Sequence, residues 1–180
     1  MSMPKRTLFL TQAAVIAAAY IVLTLPFAQI AFGGPIQFRL AEALCVLAAL
    51  TPAAIPGLFL GCLLANWFNP QSLGVIDIIG GSLATLTAAW LTWRLSRRLQ
   101  NNPKTIRWST IIALLPPVVL NAIIVGFYLP FLLPNTEHSL PVILGFMSSI
   151  AISEMIVIYL IGWPLLFGLR KTKLRFFEEK

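Results

Sequence analysis

Charge is what this sequence has least of. Of 180 residues, 13 are Lys or Arg and 6 are Asp or Glu, 11% in all, against roughly 25% in a soluble domain. With 58% of residues apolar, the chain has too little polar surface to cover a core in water. A soluble fold is excluded, and an integral membrane protein is expected. Histidine is nearly absent too: the sole one, His138, stands beside Glu137 in a short polar stretch. No H-E-x-x-H and no G-x-S-x-G sequence occurs, so zinc-hydrolase and serine-hydrolase chemistry lack their residues. No Walker A sequence occurs, so the chain does not hydrolyse ATP by that route. The two cysteines, Cys45 and Cys62, sit in apolar runs without CxxC spacing. That argues against a disulfide framework or metal site, and they read as small hydrophobes. No catalytic residue, metal or cofactor is expected.

The charge that is present lies at the flanks of apolar runs. The net charge is +7, yet the basic residues fall into three clusters: Lys5 and Arg6; Arg94, Arg97, Arg98, Lys104 and Arg107; and Arg170, Lys171, Lys173 and Arg175. This is the pattern of the positive-inside bias, and no nucleic acid partner is expected. The N-terminus lacks a clear small-residue cleavage site after its apolar run, so the first span is expected to stay on the protein.

If all three clusters are cytoplasmic, the number of crossings between each pair is even. Leu8 to about Phe27 and about Gly74 to Trp93 are spans of opposite direction, as are Ile106 to about Leu132 and Leu140 to about Leu169. Between the first two, Thr51-Pro52 breaks the chain into Leu40 to Leu50 and Ala53 to Phe68, because proline lacks a donor and disfavours helix in its predecessor. Each piece is shorter than the roughly 20 residues of a full span. The expectation is a single domain over residues 1–180: an all-α, six-helix transmembrane bundle in the cell membrane, with both termini cytoplasmic and a short hairpin sheltered by four longer helices.

Small residues supply the packing signals, since membrane helices associate where backbones can approach. Ala53, Gly57, Gly61 and Ala65 recur every four residues and make one groove, whose partner the spacing leaves open. Ala13, Ala14, Ala17 and Ala18 on the first helix make two overlapping ladders, suited either to internal packing or to docking another membrane subunit.

Polar groups within the apolar runs are the candidates for function. Arg39 and Glu42 stand three apart at a helix start, a spacing that permits an ion pair and suggests that Arg39 orients Glu42. Asn66 and Asp77 lie near helix ends, where each serves equally as a cap. Asn121 lies within a span and must find a partner. Glu154 falls near the middle of the last span, where a carboxylate costs at least roughly 2.5 kcal/mol. Beside aromatics such as Trp67 and Tyr159, these acids and amides suit a flat heterocycle with adjacent N–H donors, since a carboxylate accepts two side by side. The alternatives are an intramembrane enzyme with Glu42 or Glu154 as base, which lacks a recognisable nucleophile, and internal ion pairs alone.

The run QFRLAEALCVLAALTPAAIPGLFLGCLLAN, followed by GVIDIIGGSLATLTAAWLTWRL, resembles the queuosine-precursor transporter family, QueT. LNAIIVG at 120–126 and SEMIVIYLIGWPL at 153–165 extend the resemblance over nearly the whole chain. It implies a substrate-binding S component of an energy-coupling factor (ECF) transporter that works with the transmembrane coupling subunit EcfT and two ATPase subunits in the lipid membrane. The implied ligand is a deazapurine, foremost 7-aminomethyl-7-deazaguanine, with an S component for another vitamin-like ligand as the alternative. The implied docking strip on EcfT is the alanine face around Ala14 and Ala18. Ser153 stands where that family usually has Gly before the final-helix Glu.

Overall fold

A computed structural model describes residues 5–28, 37–99 and 106–171, and every regular element among them is helical. Helix α1 is Lys5–Thr24, continued by a 3-10 turn, Leu25–Phe27, at Pro26. Next come α2, a 3-10 helix over Leu40–Ala49, and α3, Ala54–Phe68. Helix α4 is Val75–Leu99. Helix α5 runs in two pieces, Ile106–Ala113 and Leu115–Leu132. Helix α6 joins Leu140–Ile156, a π segment Val157–Gly162 and Trp163–Lys171. Four stretches are long and apolar enough to cross a membrane: Lys5–Phe27, Val75–Leu99, Ser109–Leu132 and Leu140–Lys171. Helices α2 and α3 are apolar but shorter. The chain is a multi-pass membrane protein, and its outer surface carries Leu10, Leu60, Phe68, Leu83, Phe127 and Leu160 exposed to the hydrocarbon.

Prolines set the irregularities. Pro116 and Pro117 bring no N–H to the helix, so α5 breaks at Leu114 and restarts with proline in its first turn. Pro164 likewise cannot donate back along α6, and the wider π turn lies just ahead of it. At the α2–α3 corner, Thr51 does two jobs. Its Oγ accepts from the Ala53 N–H at 3.3 Å and donates to Gln12 Oε1 of α1 at 2.9 Å.

The side-chain contacts give each helix its direction. Gly57 and Gly61 of α3 lie against Ala13 and Ala17 of α1, so these two helices run together. A Cβ on Gly57 would stand 2.7 Å from the Ala13 carbonyl oxygen, and one on Gly61 2.7 Å from Tyr20 Cβ. The groove of small residues is thus filled by α1, within the chain. This corrects the docking strip: Ala13 and Ala17 are buried in that contact, and only Ala14 and Ala18 face outward. Helix α4 runs against α3, with Thr85 on Cys62, and α5 against α4, with Tyr128 on Asp77. Helix α6 returns along α5: Gly126 meets the Met147 backbone, Asn121 meets Glu154, and Arg170 reaches Thr110 at 3.3 Å.

Alternating directions place Lys5 and Arg6, Arg97 and Arg98, and Arg170 and Lys171 at one end of the bundle. Lys104, Lys173 and Arg175 lie outside the described residues. At the centre stands α2, packed against α1, α3, α4 and the π segment of α6, with Ala41 to Ala48 buried. A 3-10 helix rises about 2.0 Å per residue against about 1.5 Å in an α-helix. Ten residues of α2 therefore reach about 20 Å deep instead of about 15 Å.

Candidate functional site

Arg39 and the buried carboxylates Glu42, Asp77 and Glu154 lie away from the basic end of the bundle. Three networks meet there, each drawing on different helices.

The first surrounds Glu42. In a 3-10 helix, residues three apart stack on one face, so Cys45 Sγ lies 3.0 Å from Glu42 Oε2. Tyr20 of α1 donates to Glu42 Oε1 at 2.6 Å and Thr85 of α4 at 3.2 Å. Thr85 also contacts Cys62 Sγ at 3.5 Å, and Asn66 Nδ2 contacts the same sulfur at 3.6 Å. With Tyr20 on one oxygen and Cys45 on the other, and the Thr85 hydroxyl shared between Glu42 and the Gly81 carbonyl, both Glu42 oxygens have partners within the chain.

The second network surrounds Arg39. Its Nε donates to Gln37 Oε1 at 3.1 Å, and its Nη2 lies 3.6 Å from Asp77 Oδ1. Tyr128 of α5 donates to the same Asp77 oxygen at 2.9 Å. This corrects one expectation: Arg39 pairs with Asp77, across helices, rather than with Glu42 three residues on. Gly81 keeps this corner open, because a Cβ there would stand 3.3 Å from Asn66 Nδ2 and 3.5 Å from both Arg39 Nη1 and the Tyr128 hydroxyl.

The third network joins α5 and α6. Asn121 Nδ2 donates to Glu154 Oε1 at 3.0 Å. One residue earlier, the Ser153 hydroxyl donates to the Gln37 carbonyl and fastens α6 to the chain leading into α2. Through that Ser153–Gln37 bond the third network adjoins the second.

Several atoms in these networks have no protein hydrogen-bond partner although they are buried: Glu154 Oε2, Asn121 Oδ1, Asp77 Oδ2 and Gln37 Nε2. Unsatisfied buried polar groups cost free energy and are uncommon in a settled core. Among the described residues, the buried carboxylates are Glu42, Asp77 and Glu154, while Arg39 is the one buried cation. The site is acceptor-rich and carries an excess of acid. No group of three metal-binding side chains occurs among the described residues.

Two of the expected residues fall elsewhere. Trp67 is 67% exposed on the outer face of α3, since it follows Asn66 and is turned off the buried stripe. Tyr159 donates to the Ile111 carbonyl at 2.7 Å; it ties α6 to the break in α5. Conversely, Tyr20, Gln37, Thr85 and Tyr128 join these networks. Asp77, Gly81 and Thr85 recur every fourth residue of α4, a helical-face signal present in the sequence.

A family model, QueT transporter, matches residues 10–171 of this chain. No curated protein and no solved structure matches it.

Proposed function

Since the chain belongs to the QueT transporter family, we propose that it is the substrate-binding S component of an ECF-type importer. Its ligand is a queuosine precursor, 7-aminomethyl-7-deazaguanine or a related deazapurine. The observation that supports this most is the acceptor-rich polar interior: three buried carboxylates against one guanidinium, with Glu154 Oε2, Asn121 Oδ1 and Asp77 Oδ2 unbonded. A 2-aminopyrimidinone edge supplies neighbouring N–H donors to such atoms, and a protonated amine offsets the excess acid.

In this reading all six helices build the membrane bundle. The termini and the basic ends of α4 and α6 are cytoplasmic, in line with the positive-inside bias. The polar networks then open toward the outer side, where substrate arrives. The exposed Ala14 and Ala18 face of α1 docks on EcfT, and two ATPase subunits supply the energy. The family is one of transporters and not of enzymes, which removes the intramembrane general base from consideration.

Reconstitution tests the whole assignment. Proteoliposomes holding this chain with EcfT and both ATPases should accumulate labelled 7-aminomethyl-7-deazaguanine when ATP is enclosed with the ATPases. Uptake that is equal with and without ATP, or equal without this chain, would refute it.

A further inference from the structure

The unbonded atoms fall into two groups of different chemistry. On α5 and α6, the bond from Asn121 Nδ2 to Glu154 Oε1 at 3.0 Å leaves the second oxygen of each bonded group, Asn121 Oδ1 and Glu154 Oε2, without a donor. Both residues are at least nine-tenths buried, at 1% and 3% exposure. A pair of acceptors with no donor between them, one of them carried by a carboxylate, matches a group that only donates and carries positive charge. An alkylammonium is such a group, with three donors and no acceptor.

On the other side, Arg39 bridges Gln37 and Asp77. Beside that guanidinium, Gln37 Nε2, a donor, and Asp77 Oδ2, an acceptor, have no hydrogen-bond partner. A mixed pair matches the edge of a neutral heterocycle, where a ring carbonyl accepts and an adjacent N–H donates. Asp77 already has the Arg39 guanidinium at 3.6 Å, so its charge is compensated within the protein.

Resting on the S-component reading above, we propose that Glu154 and Asn121 form a cation subsite for the ligand's primary amine, while Asp77 and Gln37 read its uncharged ring edge. Selectivity among deazapurines follows: the ring edge admits the class, and Glu154 selects the aminated member.

Ligand variants and protein variants separate the two subsites. The purified full-length chain is titrated with 7-aminomethyl-, 7-hydroxymethyl- and 7-methyl-7-deazaguanine. The wild-type chain should favour the amine over the isosteric alcohol by at least roughly 30-fold, the loss expected when one partner of a buried charged hydrogen bond is removed. Glu154→Gln keeps the acceptor for Asn121 Nδ2, so the helix contact survives. It should bring the amine down to the level of the alcohol and shift the methyl compound less than about threefold. Asp77→Asn should weaken all three together. Equal binding of amine and alcohol by the wild-type chain overturns the cation subsite, whatever the variants do. So does a uniform loss in Glu154→Gln, or a loss confined to the amine in Asp77→Asn. Failure of the wild-type chain to bind any of the three overturns the deazapurine assignment itself, and the subsites with it.

Discussion

Arg39 and Asp77 form an ion pair of 3.6 Å between the residue that precedes α2 and the first turn of α4. Both side chains are buried, and the pair holds the central 3-10 helix to α4 beside it. Breaking one partner leaves the other as an uncompensated charge.

Arg39→Met should therefore destabilise the ligand-free chain by about 3 kcal/mol, the usual scale for orphaning a buried charge. The double variant Arg39→Met with Asp77→Asn should recover a substantial part of that loss. Thermal unfolding in detergent measures both. A double variant less stable than the sum of the two single variants would mean that the pair does not act as a unit.

Glu154 is a different case. Its Oε2 has no partner, so Glu154→Gln should leave the ligand-free chain as stable as before, or raise its stability by about 1 kcal/mol, the net scale of removing an unsatisfied polar burden. The same melting experiment reads this. A large destabilisation would show that Glu154 holds the fold together.

The faces of α1 should separate folding from coupling. Ala17 lies against Gly61, and a bulky residue there overpacks the α1–α3 contact by about 1–3 kcal/mol or more. Ala17→Trp should lower the melting temperature and weaken ligand binding. Ala14→Trp, on the exposed face, should leave both unchanged yet abolish ATP-driven uptake with the coupling module. Normal uptake by Ala14→Trp would remove that face from the docking surface.

Ser153→Gly removes the hydroxyl that donates to the Gln37 carbonyl. The expected effect is a loss of about 1 kcal/mol of stability, from one neutral hydrogen bond. Faster amide exchange at the start of α2 should accompany it, measured by hydrogen exchange. Unchanged exchange at residues 37–42 would mean that Ser153 does not tether this segment.

The helical frame was largely readable from residue order. Pro52 separates α2 from α3, and the basic flanks mark the ends of α1, α4 and α6. The inner geometry of these helices was less so. Ten nearly all-apolar residues, Leu40–Ala49, carry no amphipathic stripe that would distinguish a period of 3.0 from one of 3.6, so the 3-10 form of α2 left no trace. The breaks in α5 and α6 did leave one, in Pro116, Pro117 and Pro164. The site was legible in its members and not in its pairings. Glu154, Asn121, Asp77, Arg39 and Asn66 stand out because hydrocarbon does not tolerate them unpartnered. Spacing rules reach only three or four residues along a helix, so they favoured Glu42 for Arg39, whereas the fold supplies Asp77 from another helix. Trp67 and Tyr159 were included because they are aromatics near polar residues, a cue without direction. Their helices point one outward and the other to the break in α5.

The unbonded oxygens Glu154 Oε2, Asn121 Oδ1 and Asp77 Oδ2 suit a donor-rich, cationic heterocycle. Equilibrium titration of the purified wild-type chain with 7-aminomethyl-7-deazaguanine, beside guanine, riboflavin and thiamine, tests that most directly. Saturable one-to-one binding of the deazapurine, micromolar or tighter, with weaker binding of guanine and none of the two vitamins, is the predicted result; no saturable binding of the deazapurine would contradict the account.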